Sequence, residues 1–204
     1  MNILVIFAHP RRDSFTGALL DHFTAGLQES SHQVEIADLY AEHFQPCLGE
    51  ADLVQFTPGG VMPEDVRREQ ARVEAADALG FVFPVWWWSF PAILKGWIDR
   101  VWSQGWAYDF SIEKIRGLLR QRRAVLLCNG GTSHQNFSRY GYYGAMQRQI
   151  DIGILRYCGI TSNALYVFPG IDDLAAARPV YLEKAREIGR RFDTMDEFPI
   201  GVLA

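Results

Sequence analysis

The segment FPVWWWSFPAILKGWIDRVWSQGWAY, residues 83–108, decides the fold because it changes from a strand pattern to a helix pattern within a few residues. The apolar run LGFVFPV, residues 79–85, predicts a buried strand, and Pro91 suits the first turn of a helix. Three tryptophans at residues 86–88 stand in the loop between them. The segment therefore predicts a strand, an aromatic loop and a helix over residues 91–103.

The predicted helix carries an apolar stripe, which is typical of a face packed in a core or an interface. The stripe is formed by Ile93, Leu94, Trp97, Ile98, Val101 and Trp102. The loop tryptophans differ, because exposing them costs solubility unless they stack on a planar ligand or on a partner chain. We expect the helix to be packed and the loop to bind something.

Outside this segment, short apolar runs alternate with helical patterns, which predicts an α/β fold. The predicted strands are residues 3–8, 33–39, 79–85, 124–129 and 164–170, and the predicted helices are residues 14–29, 64–77, 91–103, 141–157 and 174–192. We expect a flavodoxin-like, doubly wound, five-stranded parallel sheet of order 2-1-3-4-5, with helices on both faces. A single domain over residues 1–204 is expected, with a long turn-rich loop at residues 40–63.

Composition excludes several classes of function. With 49% hydrophobic and 22% charged residues the chain is typical of a globular protein, and its net charge of −4 gives no reason to expect nucleic acid as a partner. No apolar run approaches the ~18 residues of a membrane span, and the start does not resemble a signal peptide. Cys47, Cys128 and Cys158 lack metal or redox spacing, so we expect no metal and a reducing cytoplasm.

The loops after three strands point to one pocket, since ligands of such sheets bind at the carboxyl ends of the strands. Ser14 is placed to cap the first helix, whose positive end would receive a phosphate, although a plain cap explains Ser14 alone equally well. Gly130 and Gly131 allow close backbone approach to a ligand. There is no dinucleotide fingerprint and no P-loop motif. A phosphate site at Ser14, the tryptophans at residues 86–88 and the glycine loop together indicate a flavin.

At these residues the sequence resembles the flavodoxin-like NAD(P)H:quinone oxidoreductase family. The similarity runs from ILVIFAHPRRDSFTGAL through EAADALGFVFPVWWWSFPAILKGWIDRVW and LLCNGG to AAARPVYLEKAREI. It implies FAD in preference to FMN, NAD(P)H as electron donor, and a homodimer with its sites across a two-fold interface. A flavodoxin-type carrier fits less well, because HPRRDSFT is not a Thr/Ser/Gly-rich phosphate loop.

The resemblance also implies the site residues. It implies phosphate contacts at His9, Ser14, Phe15 and Thr16; ring contacts at Pro84, Val85, Trp86, Trp87, Trp88, Asn129, Gly130 and Gly131; and adenosine contacts at Gln55, Asp99 and Arg178. The slot in which nicotinamide and quinone bind in turn is implied at Trp87 and Trp88, with Tyr108 and Phe110 from the other subunit; taken alone, Tyr108 and Phe110 are explained equally well by core packing.

One departure concerns catalysis. Mammalian members of the family carry a tyrosine and a histidine after the Gly-Gly turn, and these stabilise charge on the flavin. Here the sequence reads GGTSHQNFSRYGYYGAM, which places Asn136 or Phe137 at the tyrosine position and Tyr143 at the histidine position. A tyrosine can donate a hydrogen bond but rarely gains a proton near pH 7. His134, Tyr140 and Tyr142 are rival candidates.

The function implied is that of an NAD(P)H dehydrogenase (quinone). A hydride would pass from NAD(P)H to flavin N5, and a quinone or similar electrophile would then take two electrons in a ping-pong cycle. The alternative is an ancillary flavoprotein subunit of a membrane potassium-efflux system, for which a membrane-protein partner is possible but not indicated.

Overall fold

The computed structural model describes residues 1–57, 59–111, 114–121, 123–170, 174–194 and 201–202. Its centre is a parallel sheet in which five strands have the order β2-β1-β3-β6-β7, which confirms the predicted topology. These strands are β1 (Asn2–Phe7), β2 (Gln33–Asp38), β3 (Ala78–Pro84), β6 (Ala124–Asn129) and β7 (Asn163–Phe168). A further two-residue strand, β8 (Gly201–Val202), pairs with β7.

Burial along the strands follows their position in the sheet. Every residue of β3 and β7 is buried, as continuous apolar runs require when helices cover both faces. Strand β2 lies at an edge, and of its six residues only Ala37 is buried. The pairing brings Phe7 beside Val82 and Pro84 beside Asn129, so the strands β1, β3 and β6 end at the same edge.

Helices flank the sheet on both faces. They are α1 (Phe15–Glu29), α2 (Glu64–Ala75), α3 (Ala92–Val101), α4 (His134–Arg139), α5 (Tyr142–Met146) and α6 (Leu174–Arg190), with a 3₁₀ helix at Glu50–Phe56 and a π-helix at Gln147–Arg156. Helices α1 and α6 pack on one face around Phe23 and Phe192. Helices α2, α3, α4 and α5 pack on the other face with the π-helix. Within the described residues, none of the helices is long and apolar enough to cross a membrane.

The apolar stripe of α3 belongs to the core. Trp97 is fully buried and donates its indole N–H to Glu69 at 2.9 Å, and Trp102 is only 4% exposed. The two rings meet edge to face at 6.3 Å. The stripe was predicted to lie in a core or an interface, and the core prediction is the correct one. A second subunit is not needed to cover these tryptophans.

The predicted long loop contains ordered structure that is fixed to α3 by one arginine. The buried Arg100 side chain donates to Asp52 at 3.1 Å, to Asp65 at 2.7 Å and to the carbonyl oxygen of Gln45 at 2.8 Å. This pairing holds the pKa of Asp65 below its usual range. Because Asp52 lies in the 3₁₀ helix, Arg100 positions that helix against α3.

Two further regions of the chain differ from the sequence-based expectation. The helix expected over residues 141–157 is the short α5 continued by the π-helix, and α4 precedes it. Gly141, at φ 70°, separates α4 from α5. A hairpin of β4 (Tyr108–Ser111) and β5 (Lys114–Gly117) was not expected, because four-residue strands leave too short a pattern to recognise.

Candidate functional site

The loop after β1 ends in a capped helix. Ser14 has an extended backbone, and its hydroxyl oxygen accepts the N–H of Gly17 at 3.1 Å, which confirms the predicted cap. Helix geometry leaves the N–H groups of Phe15 and Thr16 without an intrahelical partner, at the positive end of the helix. This loop is therefore suited to an anion such as a phosphate.

Both arginines of the same loop are paired with carboxylates, one in the loop and one in α1. Arg11 donates to Asp13 at 3.1 Å, and Arg12 donates to Asp21 and lies over the ring of Phe7. The Nδ1 atom of His9 lies 2.9 Å from the carbonyl oxygen and 3.0 Å from the backbone nitrogen of Arg11. These contacts fix the shape of the loop and place His9 beside the helix start.

Asn129 joins three strand ends. Its side-chain oxygen accepts the hydroxyl of the buried Thr16 at 2.7 Å, which links the end of β6 to α1. Its backbone oxygen accepts the N–H of Val85 at 2.9 Å, which links it to the end of β3. The predicted phosphate site, aromatic loop and glycine loop are thus held together at one edge of the sheet.

The aromatic loop is a two-residue turn in an unusual conformation. Trp86 and Ser89 exchange backbone hydrogen bonds at 3.2 and 3.1 Å, while Trp87 and Trp88 have φ angles of 51° and 61°. Such turns favour asparagine and glycine, and a bulky residue in this region costs about 1–3 kcal/mol. Trp87 is nevertheless 93% exposed. Strain and exposure in one turn are typical of a functional site.

A cavity of about 200 Å³ opens between this turn and the glycine loop. It is lined by Val85, Trp87, Trp88, Gly130, Gly131, Thr132 and Phe137. A Cβ atom on Gly130 would lie 2.7 Å from the ring of Phe137, whereas one on Gly131 would meet no atom within 4 Å. Glycine is therefore required at residue 130 for close packing, and the open space beside Gly131 leaves its backbone accessible to a ligand.

Helices α4 and α5 bring the candidate catalytic residues to this edge. The Tyr143 hydroxyl lies 3.0 Å from Nδ1 of His134, and its ring stacks on Phe137 at 4.8 Å. Burial raises the pKa of Tyr143 to about 12, so its proton is retained at neutral pH. Phe137 is fully buried, and Asn136 donates its side-chain N–H to Thr132 at 2.8 Å.

The remaining candidate residues lie in two other places. A second cavity of about 420 Å³ is lined by Gln55, Asp99 and Tyr108 together with Leu48, Leu53, Phe56, Ile98, Trp102, Gly153, Ile154, Tyr157 and Cys158. Phe110 lies on the same hairpin strand as Tyr108 and is 59% exposed. Arg178 is not among the described residues that line this cavity; its guanidinium lies 5.8 Å from the ring centre of Phe15.

Comparison with known proteins gives consistent relatives. Residues 1–191 match a family model described as a flavodoxin-like fold. The chain is similar to an uncharacterized NAD(P)H oxidoreductase of Haemophilus influenzae, with 34% identity over 92% of this chain and 93% of that protein. It is 32% identical to NAD(P)H dehydrogenase [quinone] 1 of Cavia porcellus over 76% of this chain and 64% of the relative.

A solved structure, an NAD(P)H:quinone oxidoreductase from Methanothermobacter marburgensis, superposes with a TM-score of 0.86 and 35% identity over 95% of this chain and 99% of that one. The chain belongs to the flavodoxin-like NAD(P)H:quinone oxidoreductase family. The family resemblance inferred from these segments of the sequence is confirmed.

For this family member, sequence reasoning missed two contacts of the site. The first is the 3.0 Å contact between His134 and Tyr143, two residues that the sequence offers only as rival candidates. The second is Tyr142, whose ring stacks on Trp88. The cluster of aromatic residues around Gly141 was the available signal, but helical periodicity cannot tell which ring of such a cluster faces the turn.

Proposed function

We propose that the protein is a flavin-dependent NAD(P)H dehydrogenase (quinone). The observation that carries this proposal is the meeting of three strand ends at Asn129, which joins an anion seat, an aromatic turn and an open glycine loop. The names of the relatives at 32–35% identity support the same reaction class. These three loops match the three parts of a flavin: its phosphate, the faces of its ring and the polar edge of its ring.

The residues present fit a flavin. Open space beside Gly131 and the cavity along the turn leave room for a planar group against backbone atoms. We assign the phosphates to His9, Ser14, Phe15 and Thr16, and the ring to Pro84, Val85, Trp86, Trp87, Trp88, Asn129, Gly130 and Gly131. When bound, the flavin would accept a hydride from NAD(P)H and pass two electrons to a quinone in a ping-pong cycle.

In this reaction the protein would orient the substrates against the flavin and exclude water from the site. Trp87 and Trp88 offer indole faces on which a nicotinamide and then a quinone stack in the same slot. The indole of Trp87 is exposed, and a planar substrate that covers it during turnover would explain that exposure. Because both substrates use one slot, the first product leaves before the second substrate binds.

Tyr143 is assigned to stabilise negative charge at the polar edge of the ring. Its raised pKa keeps it a hydrogen-bond donor at every physiological pH. The tautomer of His134 sets the direction of the Tyr143 O–H. If Nδ1 of His134 carries a proton, that N–H donates to the tyrosine oxygen and leaves the phenolic O–H free for the ligand. Asn136 and Phe137, one of which falls at the family's tyrosine position, would then shape this pocket.

The cofactor is proposed to be FAD, and the assembly a homodimer. Gln55 and Asp99 line the second cavity with Tyr108, whereas Arg178 lies beside Phe15, so a single chain offers the adenosine contacts in two places. A two-fold partner would bring the second cavity of one subunit to the flavin site of the other. The exposed Phe110 would then be covered at the interface.

Two measurements test cofactor and assembly. Flavin released by heat and separated by chromatography should be FAD; recovery of FMN alone after reconstitution with both would remove the roles of Gln55, Asp99 and Arg178. Light scattering should give twice the mass of 23.2 kDa. A monomer with full activity would exclude the shared site.

The reaction is tested by steady-state kinetics of the purified yellow protein. A panel of quinones, azo compounds and nitro compounds is assayed with NADH and with NADPH. We expect quinone reduction with parallel double-reciprocal lines. Absence of turnover with every acceptor would refute the proposed enzyme. No observation among the described residues favours the potassium-efflux alternative.

A further inference from the structure

The strained turn at the cavity has a neighbour that lies outside the cavity. Trp88 has a left-handed backbone, which is costly for a tryptophan, and it has ring contacts that support it in addition to the Trp86–Ser89 hydrogen bonds of the turn. The ring of Tyr142, the first residue of α5, lies parallel to the Trp88 indole with centroids 3.4 Å apart and planes 11° apart. Tyr142 is not among the described residues that line the cavity. It therefore contacts the site through Trp88.

A second ring holds Trp88 from another direction. Phe137 meets the indole edge to face, with centroids 5.4 Å apart and planes at 87°. Phe137 is fully buried and packs against Gly130, so it is fixed in position by the core. Tyr142 is only partly buried and follows Gly141, whose left-handed φ of 70° directs the start of α5 toward the turn. Phe137 is thus a rigid support, and Tyr142 completes the clamp.

We propose that Tyr142 is a positioning residue that holds Trp88 in its left-handed conformation and so keeps the wall of the cavity in its binding geometry. The consequence for the ligand rests on the proposed function, since it assumes that the flavin ring lies against this wall. The effect on the backbone of Trp88 does not depend on that assumption. Without the stack, the turn is free to relax to a conformation that tryptophan prefers.

The test compares Tyr142→Phe with Tyr142→Ala in the full-length protein. Crystal structures of both variants give the φ angle of Trp88 directly, and titration of the flavin-depleted proteins with flavin gives the affinity. Tyr142→Phe keeps the ring and should retain both. Tyr142→Ala should move Trp88 out of the left-handed region and weaken flavin binding about tenfold, the order expected for loss of one aromatic pair. If Tyr142→Ala does not fold, Tyr142→Leu removes the stack and keeps apolar bulk.

A matched control separates positioning from general loss of stability. Ile188→Val lies in the core on the opposite face of the sheet and should lower stability while leaving flavin affinity unchanged. An unchanged φ of Trp88 in Tyr142→Ala would overturn the proposal. So would a changed φ with unchanged affinity. If the wild-type protein binds no flavin, the proposed function fails, and the φ angle alone then decides whether Tyr142 holds the turn.

Discussion

Four of the six tryptophans of the central segment form two pairs that differ in burial and in backbone geometry. Of the core tryptophans, Trp97 lies within α3 and Trp102 follows directly as the residue that ends it; both are buried, and Trp97 has its indole N–H paired with Glu69. The turn tryptophans, Trp87 and Trp88, have left-handed backbones beside a cavity. The same side chain thus stabilises the core in one pair and lines a candidate binding site in the other. Burial in relaxed geometry stabilises the fold, whereas exposure in strained geometry indicates binding.

The largest effect should come from the core tryptophans. Trp97→Ala removes a fully buried ring and leaves Glu69 without its indole donor, so the free energy of unfolding should fall by about 3–5 kcal/mol. Trp87→Ala should change it by less than about 0.5 kcal/mol. Urea denaturation of both variants measures the difference. Equal losses would remove the distinction between the two pairs.

Near the turn, a substitution should impair function far more than stability. Tyr143→Phe removes one hydrogen-bond donor from the polar edge of the site and should slow flavin reduction by NAD(P)H on the order of 10²-fold, with flavin still bound. Stopped-flow absorbance measures the bleaching, with Tyr140→Phe as the control on an exposed ring. Unchanged bleaching in Tyr143→Phe would move the role to the backbone of Asn129, Gly130 and Gly131.

The burial of Tyr143 should also make the free energy of unfolding depend on pH in the alkaline range. Its pKa of about 12 in the folded protein exceeds the ordinary value of about 10, so folding favours the protonated form. That contribution is complete below pH 10 and is lost as the pH rises towards 12, by about 1–2 kcal/mol. Unfolding free energies of wild type and Tyr143→Phe over this range should therefore converge. A constant difference between them would contradict the assignment.

The smallest expected effect is an increase in stability. Trp87→Gly relieves a left-handed tryptophan that is almost fully exposed, while glycine adds some freedom to the unfolded chain. The net result should be a rise of about 1 kcal/mol in the free energy of unfolding, together with a fall in quinone reduction. Trp87→Ala keeps the strain and should show no such gain. A less stable Trp87→Gly would show that the turn is not strained.

Sequence patterns predicted the first pair of tryptophans better than the second. Helical spacing identified the stripe of α3, and apolar runs located the five main strands to within two residues at each end. Those signals are local, because burial repeats with the period of each element. The Ser14 cap and the loops that meet at Asn129 followed from the same reasoning, since strand ends of one sheet edge lie together.

The conformation of the turn could not be predicted in this way. The left-handed backbones of Trp87 and Trp88 contradict local preference, and the contacts of Trp88 with Phe137 and Tyr142 come from distant parts of the chain. The pairing of His134 with Tyr143 likewise depends on the left-handed Gly141 between α4 and α5. Such features depend on tertiary contacts, and they concentrate at the candidate site.

The central claim is that the strained turn and the loops around it hold a flavin that alternates between NAD(P)H and a quinone. Anaerobic stopped-flow mixing of the purified protein with NAD(P)H, followed by a second mixing with quinone, tests it most directly. The account predicts that NAD(P)H bleaches the flavin absorbance in the absence of quinone, and that quinone restores it after the nicotinamide has left. Absorbance that NAD(P)H leaves unchanged, or that quinone does not restore, would contradict the account.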